Sequence, residues 1–502
     1  MKLKKILKDE EVTIIGNDNI EISGVSYDSR KINKNYVFFS IKIKNDIDRI
    51  KYIKDAISSG ASTIVTDTVY NIDNITQIIV KNISRFMSSF CAKFYNHPDK
   101  KLNVIGITGT NGKTTITYML ESIFTNSNIN CGVIGTINYR YKNKIIESNN
   151  TTPQSLDIYK IMNDMINNDV KYIIIEVSSH ALALDRVYGI NFDMAIFTNL
   201  TQDHLDFHKN KSSYFKAKLI LFKKLGIYFK KNIRKCAIIN IDDTYGKKIL
   251  KTKINAEIKS YSTIEDSNAS FIAKNIIVTN KKSMFDLFFN KKKIKIKINQ
   301  IGLHNIYNAI AGFVTALCVG IPTEKIVIGL NKLKYIPGRF EKIDTNEIGF
   351  DVIIDYAHTD DAIKNTLQVI NNLKFKKIIT IFGCGGNRDK KKRSLMGETV
   401  SKMSDFIFVT SDNPREEDPY QIILDIETGI KKTNKNNYNI TINREIAIKN
   451  AIMMAEKGDV ILIAGKGHEN YQIIGTKKIS FSDAEMAKKY IYMKQKQKTT
   501  LK

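Results

Sequence analysis

Cysteine, proline and tryptophan are scarce in this sequence of 502 residues, which contains five cysteines, six prolines and no tryptophan. The cysteines are odd in number, lie far apart and form no C-x-x-C pair. This distribution argues against a disulfide framework or a zinc site and predicts buried or incidental thiols. They are Cys91, Cys131, Cys236, Cys318 and Cys384.

Long apolar runs are also missing. No stretch approaches the roughly 18 uncharged apolar residues of a membrane-spanning helix. The basic start, MKLKKILKDEEV, has no apolar core of signal-peptide length. We therefore expect a cytoplasmic protein without a membrane span. A chain of 502 residues is too long for one ordinary core, so several domains are expected.

Acidic residues are fewer than basic ones, 51 against 78, which gives a net charge of +27. Such a balance allows a polyanionic partner, including nucleic acid. The lysines are spread along the chain, however, and no basic patch is interleaved with aromatic residues. Abundant Lys, Asn and Ile indicate a compositional bias. We expect no nucleic-acid binding, and only attraction of a phosphorylated small substrate.

Several short β-branched runs end in a polar or glycine-rich loop, which is typical of buried parallel strands. In open α/β sheets, ligands bind beyond the carboxyl ends of the strands, where these loops lie. The pattern predicts an α/β fold with one or more enzyme-like clefts. The runs are NVIGIT (103–108), YIIIE (172–176), MAIFTNL (194–200), VIIDYAH (352–358), KIITIFGCGG (377–386), FIFVTSDNP (406–414) and VILIAGKGHE (460–469).

Proline and glycine mark two candidate domain boundaries, within NHP (96–98) and within IPGR (336–339). The segment around residues 255–300 alternates like antiparallel strands, and we interpret it as a sheet appended to the central domain. The predicted domains are residues 1–98, 99–336 and 337–502.

The segment GITGTNGKTT (106–115) resembles a phosphate-binding loop but departs from the strict G-x-x-x-x-G-K-[ST] pattern. The strict pattern needs a glycine five positions before Gly112, and Ile107 stands there. Even so, glycines ahead of a helical pattern turn backbone N–H groups toward phosphate oxygens, and the helix N-terminus adds a positive dipole end. Lys113 would meet the terminal phosphates of a nucleotide, and the Thr114 hydroxyl would ligate Mg²⁺.

Two other residues at strand ends are ambiguous by themselves. Glu176 ends its predicted strand, where a carboxylate can hold Mg²⁺ opposite the phosphate loop, but acidic residues at strand ends are common. His204 follows the run 194–200, and a lone histidine is more often structural than functional.

Ten motifs resemble, in this order and spacing, those of the Mur ligases, which join an amino acid to a UDP-linked muramyl peptide. They span residues 106–472 and are together highly specific. The resemblance implies a small N-terminal α/β uridine-binding domain, a central P-loop ATPase-like domain with a parallel sheet, and a C-terminal Rossmann-like α/β domain. The motifs are GTNGKTT, EVSSHAL, TNLTQDHLDFH, YFKAKLILF, LHNIYNA, PGRFE, DYAHTDDAI, GCGGNRDKKKR, SDNPREEDP and GKGHENYQ.

The resemblance implies a monomeric, ATP-dependent, amide-forming ligase of peptidoglycan precursor synthesis, with UDP-N-acetylmuramoyl-L-alanyl-D-glutamate as its nucleotide substrate. ATP would phosphorylate the carboxylate of the terminal D-Glu. The incoming amine would attack the acyl phosphate, and a tetrahedral intermediate would collapse to amide, ADP and phosphate. Positioning and cations should carry most of the catalysis, because charge builds on phosphoryl oxygens.

The resemblance also implies two Mg²⁺ ions and a carbamylated lysine. Thr114 and Glu176 match the positions that hold the first ion, and Glu176, His204 and the modified lysine match those at the second. The lysine is Lys218 in YFKAKLILF, whose neutral amine would capture CO₂. The alternative is an ordinary lysine on a helix. The apolar face of that helix is Phe215, Leu219 and Phe222.

Further contacts follow by resemblance, position by position. The nucleotide-peptide residues are Ser29, Thr151, Thr152, Ser178 and Arg186. The ATP-binding residues are Gly109, Thr110, Asn111, Gly112, Lys113, Thr114, Thr115, Asn308, Arg339 and Asp355. Without the resemblance, helix capping or solvent exposure would be the better interpretation of Asn305 and Asn308.

Three departures from the family pattern affect these expectations. Leu184 stands where some members carry a glutamine, so one contact to the nucleotide-peptide is in doubt. Asp360 replaces the usual proline of DYAHTPD, which would loosen the loop locally. After the uridine-binding segment VSYDSRKI (25–32), the expected G-x-x-x-D-G-H element is missing, and FFSIKIKNDIDRI (38–50) stands in its place.

The motif D-N-P-R indicates which amino acid is added. Arg415 can bind a carboxylate through two parallel hydrogen bonds, and meso-diaminopimelate carries a distal carboxylate that lysine lacks. In the family, this motif goes with diaminopimelate addition. Alternatively, Arg415 pairs with Glu416 or Glu417 on a solvated loop. The implied amino-acid contacts are Arg388, Asp412, Asn413, Pro414, Arg415, Gly465 and Glu469.

Other functions stay open at this point. L-Lysine or meso-lanthionine would be added by the same chemistry, and lanthionine fits the same contacts. A folylpolyglutamate synthetase is a second enzyme alternative, against which the ordered GCGG, DNPR and GKGHE clusters argue. A nucleotide-dependent switch or binding protein is the alternative from another class.

Overall fold

The computed structural model describes residues 1–42, 46–226, 235–345 and 348–500. These residues form sheets of five, eleven and six strands and a separate two-stranded hairpin. None of the helices described in those ranges is both long and apolar enough to cross a membrane. The five cysteines are free thiols.

The N-terminal sheet has the strand order 1-5-4-3-2, with only its first strand antiparallel to its neighbour. A short 3₁₀ helix covers Ser29–Lys31. The strands are β1 (Thr13–Ile15), β2 (Gly24–Ser26), β3 (Tyr36–Phe39), β4 (Ala61–Thr66) and β5 (Thr76–Ile79), and the helices are α1 (Leu3–Leu7), α2 (Asp46–Ser58) and α3 (Ile83–Phe94).

The central part of the chain contains eleven strands and nine helices within the described ranges. The strands are β6 (Asn103–Thr108), β7 (Cys131–Ile134), β8 (Asn138–Tyr141), β9 (Lys144–Glu147), β10 (Tyr172–Glu176), β11 (Met194–Phe197), β12 (Cys236–Asn240), β13 (Glu257–Ser262), β14 (Phe271–Val278), β15 (Ser283–Phe289) and β16 (Lys292–Ile298). The helices are α4 (Pro98–Lys101), α5 (Lys113–Asn126), α6 (Ser155–Asn167), α7 (Ser179–Ala183), α8 (Leu205–His208), α9 (Lys211–Lys224), α10 (Thr244–Leu250), α11 (Leu303–Val319) and α12 (Thr323–Lys332).

Strand β6 lies inside the central sheet, between β10 and β11, and is parallel to both. Its side chains alternate between two cores. Val104 packs in the core on one face of the sheet, whereas Ile105 and Ile107 pack with α5 and α11 on the other. Burial on both faces explains why the sequence of this strand is continuously apolar.

The segment around residues 255–300, expected as antiparallel-like strands appended to the central domain, lies at one edge of the central sheet, and only part of its pairing is antiparallel. Strand β13 pairs in parallel with β12, and β14 pairs in parallel with β13, so the segment continues the central sheet. Only β15 and β16 add antiparallel pairs at its edge. Each strand offers unpaired backbone groups to the next, and that hydrogen bonding is not visible in an alternating sequence pattern.

The C-terminal sheet has the strand order 17-18-22-19-20-21, and its four inner strands are mutually parallel. The strands are β17 (Glu341–Ile343), β18 (Asp351–Asp355), β19 (Ile378–Phe382), β20 (Phe406–Val409), β21 (Tyr438–Ile440) and β22 (Val460–Ala464), followed by the hairpin β23 (Tyr471–Ile474) and β24 (Lys477–Ser480). The helices are α13 (Asp360–Asn372), α14 (Lys391–Met403), α15 (Pro419–Lys431), α16 (Arg444–Met454) and α17 (Asp483–Thr500).

The seven strands predicted from apolar runs are β6, β10, β11, β18, β19, β20 and β22, and all are confirmed as parallel strands. The α/β fold class is confirmed with them. The carboxyl ends of the central strands face the C-terminal part of the chain, because Arg339 Nη2 donates to Thr114 Oγ1 at 3.3 Å. The polar loops of both sheets therefore border one cleft.

Candidate active site

The glycine loop between β6 and α5 has a conformation that glycine alone adopts easily. Gly109 and Gly112 have φ angles of +151° and +91°. A Cβ atom on Gly109 would lie 1.8 Å from Thr198 Oγ1, and one on Gly112 would lie 2.3 Å from Asn308 Oδ1. Both positions exclude larger residues, by backbone strain and by lack of space.

Neighbouring strand ends hold this loop in place. The backbone N–H of Thr110 donates to the carbonyl of Asn199 at 2.9 Å, and that of Asn111 donates to Asn199 Oδ1 at 2.9 Å. Thr198 Oγ1 donates to the carbonyl of Asn111 at 2.7 Å. The loop is thus fixed by residues that follow β11, which is the next strand of the sheet.

Lys113 begins helix α5 and lies over the loop. Its Nζ donates to the carbonyl oxygens of Gly109 and Thr110 at 2.9 and 2.8 Å. Burial lowers the pKa of Lys113, while the charges of Glu176 and Asp203 act in the opposite direction. An ammonium group here lies beside the phosphate-binding backbone.

Glu176 is a buried carboxylate surrounded by hydroxyl groups. Its Oε2 accepts from Thr114 Oγ1 at 3.0 Å and from Thr136 Oγ1 at 2.8 Å, and its Oε1 accepts from the backbone N–H of Thr136 at 3.1 Å. Hydroxyl and carboxylate oxygens are the hard ligands that Mg²⁺ prefers, so the donor set of Thr114 and Glu176 fits this ion.

Lys218 is a fully buried lysine on α9. Its Nζ donates to the carbonyl of Gly109 at 2.8 Å and lies 4.4 Å from the ring centre of Tyr214. Burial, together with the charge of Lys113, lowers the pKa of Lys218 well below its ordinary value. Lys218 thus lies on the buried face of α9, beside the glycine loop, and both its modification and the alternative of an ordinary helix lysine stay predictions.

His204 stands near Lys218 but makes no hydrogen bond to it, or to Glu176, among the described residues. Its backbone has a φ of +54°, and its N–H donates to Asp203 Oδ1 at 2.9 Å. Removal from water lowers the pKa of His204 to about 3, although the charge of Asp203 opposes the shift. Both residues lie near the ring of Tyr214, whose centre is 6.3 Å from the His204 ring and 4.4 Å from Lys218 Nζ.

Across the described residues, no group of three or more His, Cys, Asp or Glu side chains is close enough to hold a metal ion. The predicted metal set differs from such a group, because it uses a threonine hydroxyl and a modified lysine. Of that set, the structure joins Thr114 directly to Glu176 and places Lys218 and His204 around Tyr214.

A cavity of about 760 Å³ opens between the central and C-terminal parts of the chain. Asn308 is buried inside α11 and donates to Asn305 Oδ1 at 3.3 Å, so neither capping nor solvent exposure describes it. The predicted ATP residues among its lining are Asn111, Gly112, Thr115, Asn308, Arg339 and Asp355. The other four, Gly109, Thr110, Lys113 and Thr114, form the adjoining loop.

Arg339 and Asp355 meet at one side of this cavity. The guanidinium carbon of Arg339 lies 4.5 Å from the ring centre of Tyr356. Its buried Nε has no hydrogen-bond partner within the described part of the chain. Asp355 accepts from the backbone N–H groups of Phe340 at 2.7 Å and Ala357 at 2.9 Å. An anionic ligand would satisfy the unpartnered arginine nitrogen.

Four of the predicted nucleotide-peptide residues lie together beyond β10. Thr152 Oγ1 accepts from the backbone N–H of Ser178 at 3.0 Å, and Arg186 Nη1 donates to the carbonyl of Thr152 at 3.1 Å. The hydroxyls of Thr151 and Thr136 lie 3.1 Å apart, which links this group to Glu176.

Ser29 is not brought into direct contact with that group. It lies in the 3₁₀ helix of the N-terminal part, where Asp28 caps the helix and pairs with Arg30 at 2.9 Å. Nearby, Tyr27 Oη donates to Asp157 Oδ2 at 2.6 Å, which ties this segment to α6. The segment FFSIKIKNDIDRI (38–50) stands in place of the G-x-x-x-D-G-H element of the family, and its residues 43–45 lie outside the described residues.

Arg415 belongs to a pocket at the carboxyl ends of β19, β20 and β22. Its Nη1 donates to the carbonyl of Gly386 at 2.9 Å, and its backbone pairs with β23. Burial and the neighbouring charge of Arg388 lower the pKa of Arg415. Pairing with Glu416 or Glu417 is not seen: Arg393 binds Glu417 at 2.9 Å, and Asn387 binds Glu416.

Asn413 and Glu469 meet on the other side of this pocket. Asn413 Nδ2 donates to Glu469 Oε2 at 2.9 Å. A Cβ atom on Gly465, which has a φ of +112°, would lie 2.9 Å from Asp412 Oδ2, so the glycine lets the two loops approach. Similarly, a Cβ atom on Gly386 would lie 1.8 Å from the carbonyl oxygen of Pro414.

Asp360, which stands where the family pattern has proline, lies at a helix start held by hydrogen bonds, and the expected local loosening stays a prediction. Asp360 is the first residue of α13, whose N-cap is Thr359, and it accepts a hydrogen bond from Thr399 of α14. An acidic residue in a first helical turn is favourable. Leu184 is exposed and ends α7 as its C-cap.

Sequence reasoning missed four residues that the structure places in the cleft. The signal for three of them was present: Asp203 precedes His204 in TQDH, Tyr214 begins the motif YFKAKLILF, and Lys466 lies between Gly465 and Glu469 in GKGHE. Nothing local marks Thr136, because it reaches the site only through the fold. The four are Thr136, Asp203, Tyr214 and Lys466.

Fold and site together define a nucleotide-phosphate-binding α/β protein in which a phosphate loop and a charged pocket share one cleft. Residues 107–316 match the Mur ligase middle domain, and residues 338–467 match the Mur ligase glutamate ligase domain. The chain belongs to the Mur ligase family.

Individual relatives agree with this assignment along the whole chain. The UDP-N-acetylmuramoyl-L-alanyl-D-glutamate--2,6-diaminopimelate ligase 1 of Clostridium acetobutylicum is 46% identical over 494 residues, which covers 98% of this chain and 99% of the relative. The UDP-N-acetylmuramoyl-L-alanyl-D-glutamate--2,6-diaminopimelate ligase of Clostridium tetani is 43% identical over 497 residues, which covers 98% of this chain and 99% of the relative.

Solved structures show the same similarity. A structure of a UDP-N-acetylmuramoyl-L-alanyl-D-glutamate--2,6-diaminopimelate ligase is 27% identical and superposes with a TM-score of 0.69, covering 99% of both chains. A Mycobacterium tuberculosis folylpolyglutamate synthase complexed with ADP is 16% identical, with a TM-score of 0.63 over 76% of this chain and 92% of that one. The latter likeness concerns the fold alone.

Proposed function

We propose that this protein is an ATP-dependent ligase that joins meso-diaminopimelate to UDP-N-acetylmuramoyl-L-alanyl-D-glutamate in peptidoglycan precursor synthesis. Relatives of that name, which are 46% and 43% identical along nearly the whole chain, support the proposal. The structural observation that carries it is the pocket in which Arg388 and Arg415 face the carboxylates of Asp412 and Glu469.

The glycine loop is the proposed site of the ATP phosphates. ATP supplies the phosphoryl group that activates the D-Glu carboxylate as an acyl phosphate. Backbone N–H groups at the start of α5, together with Lys113, stabilise negative charge on phosphoryl oxygens. The cavity beyond Asn308 receives the nucleoside, and Arg339 reaches toward the phosphates through its unpartnered Nε.

Thr151, Thr152, Ser178 and Arg186 are the proposed contacts of the muramyl peptide. They lie next to Glu176 through Thr136, so the carboxylate to be activated would be held near the metal-binding side chains. Ser29 is the proposed contact of the uridine part, which lies farther away at the N-terminal sheet.

The proposed Mg²⁺ ligands are Thr114, Glu176, His204 and Lys218. Bound Mg²⁺ neutralises charge on the phosphoryl oxygens. A depressed pKa favours the neutral form of the Lys218 amine, which is the form that attacks CO₂. In that step the Nζ lone pair forms the bond to carbon, the electrons of one C=O π bond move to oxygen, and the nitrogen releases a proton to solvent. The resulting carbamate would carry one negative charge, shared by two oxygens, beside Lys113.

The charges of the pocket favour diaminopimelate over lysine. Two guanidinium groups next to each other repel, and a substrate carboxylate between them would relieve the repulsion. Lysine ends in an ammonium alone, which would add a third positive charge. Meso-lanthionine presents the same end groups as diaminopimelate and stays the alternative substrate.

Three further properties belong to the same proposal. The protein acts in the cytoplasm as a monomer. Its uridine-binding, ATP-binding and amino-acid-binding domains are residues 1–98, 99–336 and 337–502. Each range contains one of the large sheets.

Phosphate release tests the function directly. We expect ATP-dependent release that requires both the UDP-linked dipeptide and an added amino acid, fastest with diaminopimelate among diaminopimelate, lanthionine, lysine and ornithine. Equal or faster turnover with lysine would refute the specificity. Release that needs no UDP-linked dipeptide would refute the ligase assignment itself.

A further inference from the structure

Lys466 carries a fully buried positive charge in the amino-acid pocket. It lies between Gly465 and Glu469, and its side chain has no exposed surface. Its Nζ donates to Glu469 Oε2 at 3.0 Å and to Asn413 Oδ1 at 3.1 Å, and lies 3.7 Å from Asp412 Oδ1. One ammonium group therefore bridges the loops that follow β20 and β22.

These contacts engage both polar atoms of the Asn413 side chain. Its Oδ1 accepts from Lys466 and from the backbone N–H of Ile473, and its Nδ2 donates to Glu469. Both hydrogen bonds to Glu469 end on Oε2. The other oxygen, Oε1, has no hydrogen-bond donor among the described residues. Lys466 thereby fixes which carboxylate oxygen of Glu469 stays available to a ligand.

Two other buried cations in the described residues nearby are already neutralised. Arg393 binds Glu417 and Asp425 at 2.9 Å, and its side chain has no exposed surface. Arg444 binds both carboxylate oxygens of Asp483 at 2.7 Å, and both side chains are fully buried. Lys466 is thus the buried cation that offsets the paired carboxylates Asp412 and Glu469. Lys466, Arg388 and Arg415 together bring three positive charges to the pocket. Asp412 and Glu469 bring two negative charges.

We propose that Lys466 is a positioning residue that sets the amino-acid specificity of this pocket. It presents Glu469 Oε1 to the ammonium of the substrate, and it keeps the pocket net positive, so that an amino acid with a distal ammonium but no distal carboxylate is disfavoured. The inference rests on the proposed function, since it takes this pocket as the site of the incoming amino acid.

The experiment compares Lys466→Gln and Lys466→Met with the wild type. Glutamine keeps a hydrogen-bond donor without the charge, and methionine removes both. We expect the ratio of kcat/KM for diaminopimelate to kcat/KM for lysine to fall roughly tenfold in both variants, because one unit charge a few ångströms from the ligand has been removed. The fall in kcat/KM for diaminopimelate should come from a higher KM more than from a lower kcat.

Lys235→Met is the matched control. Lys235 is another largely buried lysine, just before β12 in the central part of the chain, and it is bound to Asp193 at 2.8 Å, Asn191 at 3.0 Å and the carbonyl of Phe192 at 2.9 Å. Its loss should lower the Tm as removal of a buried ion-pair partner does, while the substrate ratio stays at the wild-type value.

The two hypotheses fail in different ways. A wild-type protein that shows no preference for diaminopimelate would refute the proposed specificity of the site. A wild-type preference that persists unchanged in folded Lys466→Gln would refute the role of Lys466 alone. If Lys466→Met does not fold, the glutamine variant decides, because it retains the hydrogen bonds that join the two loops.

Discussion

At the scale of single residues, Lys218 shows how far an environment can change a side chain. A lysine on a helix is ordinarily solvated and charged. Here burial and the nearby ammonium of Lys113 disfavour the charged form, and both groups donate to the carbonyl oxygen of Gly109. Conversion to a carbamate would place a negative charge on Lys218 beside the ammonium of Lys113, and the two charges would attract each other.

Replacement of Lys218 tests this chemistry. We expect Lys218→Ala to abolish ATP-dependent phosphate release, and small carboxylates such as formate or acetate to restore part of it by occupying the space of the carbamate. Lys216→Ala, on the exposed side of the same helix, is the control and should keep full activity. Full activity of Lys218→Ala would remove the carbamate from the mechanism.

Arg415 and Asn308 show what a residue type can and cannot reveal. The guanidinium of Arg415 suggested a carboxylate partner from the sequence, and the structure leaves it free of Glu416 and Glu417. The sequence pattern around Asn308, by contrast, indicated a helix cap or a solvent-exposed residue. Only its position on the buried face of α11, against Gly112, brings it to the cavity.

At the scale of elements, the loop from β6 to α5 depends on glycine for two separate reasons. Gly112 is the N-cap of α5 with a φ of +91°. Its missing side chain also leaves room for Asn308, which lines the cavity. The departure from the strict loop pattern at Ile107 has no cost, since that residue is buried inside β6.

Two glycine variants separate these reasons. Gly320 has a φ of +92° and no atom within 4 Å of an added Cβ, so Gly320→Ala introduces backbone strain alone. Strained φ angles cost about 1–3 kcal/mol. We expect both Gly112→Ala and Gly320→Ala to lower the Tm, but only Gly112→Ala to raise the KM for ATP, at least tenfold. An equal KM in the two variants would contradict a role of the Gly112–Asn308 contact.

Elements with a continuous apolar sequence were predictable, and elements defined by their partners were not. The runs at β6 and β10 read as buried parallel strands because both faces of the sheet are covered. The segment around 255–300 also read as strands. Its parallel pairing with the central sheet through β13 and β14 was not predicted, because alternation shows which side chains are buried but not which strand supplies the next hydrogen bonds.

At the scale of the whole molecule, two hairpins connect the halves of the cleft. Lys478 of β24 binds Glu147 of β9 at 2.5 Å and lies 4.1 Å from the ring centre of Tyr471. The irregular segment after Glu147 leads to Thr151 of the proposed nucleotide-peptide site, and β23 pairs with Arg415 of the amino-acid pocket. The ion pair thus joins the supports of two substrates.

Charge reversal tests whether this ion pair couples the two halves. Exposed ion pairs contribute little to stability, so we expect Lys478→Glu to leave the Tm unchanged while it raises the KM for the amino acid about threefold by like-charge repulsion. The double variant Glu147→Lys with Lys478→Glu should restore the wild-type KM. The difference in KM between Lys478→Glu and the wild type should also vanish at high salt. An equal defect in the double variant would assign the effect to Lys478 alone.

The sequence by itself determined the parts of this protein that depend on near neighbours along the chain. The buried strands, the glycine loop at the start of α5 and the order of the family motifs follow from composition and spacing. Tertiary structure alone decided which side chains meet across distant segments. Thr136 beside Glu176, Tyr214 beside Thr110 and Lys466 beside Asn413 are brought together by strand pairing and helix packing. Their chemistry depends on burial and on neighbouring charge, which are properties of the folded chain and of no local pattern.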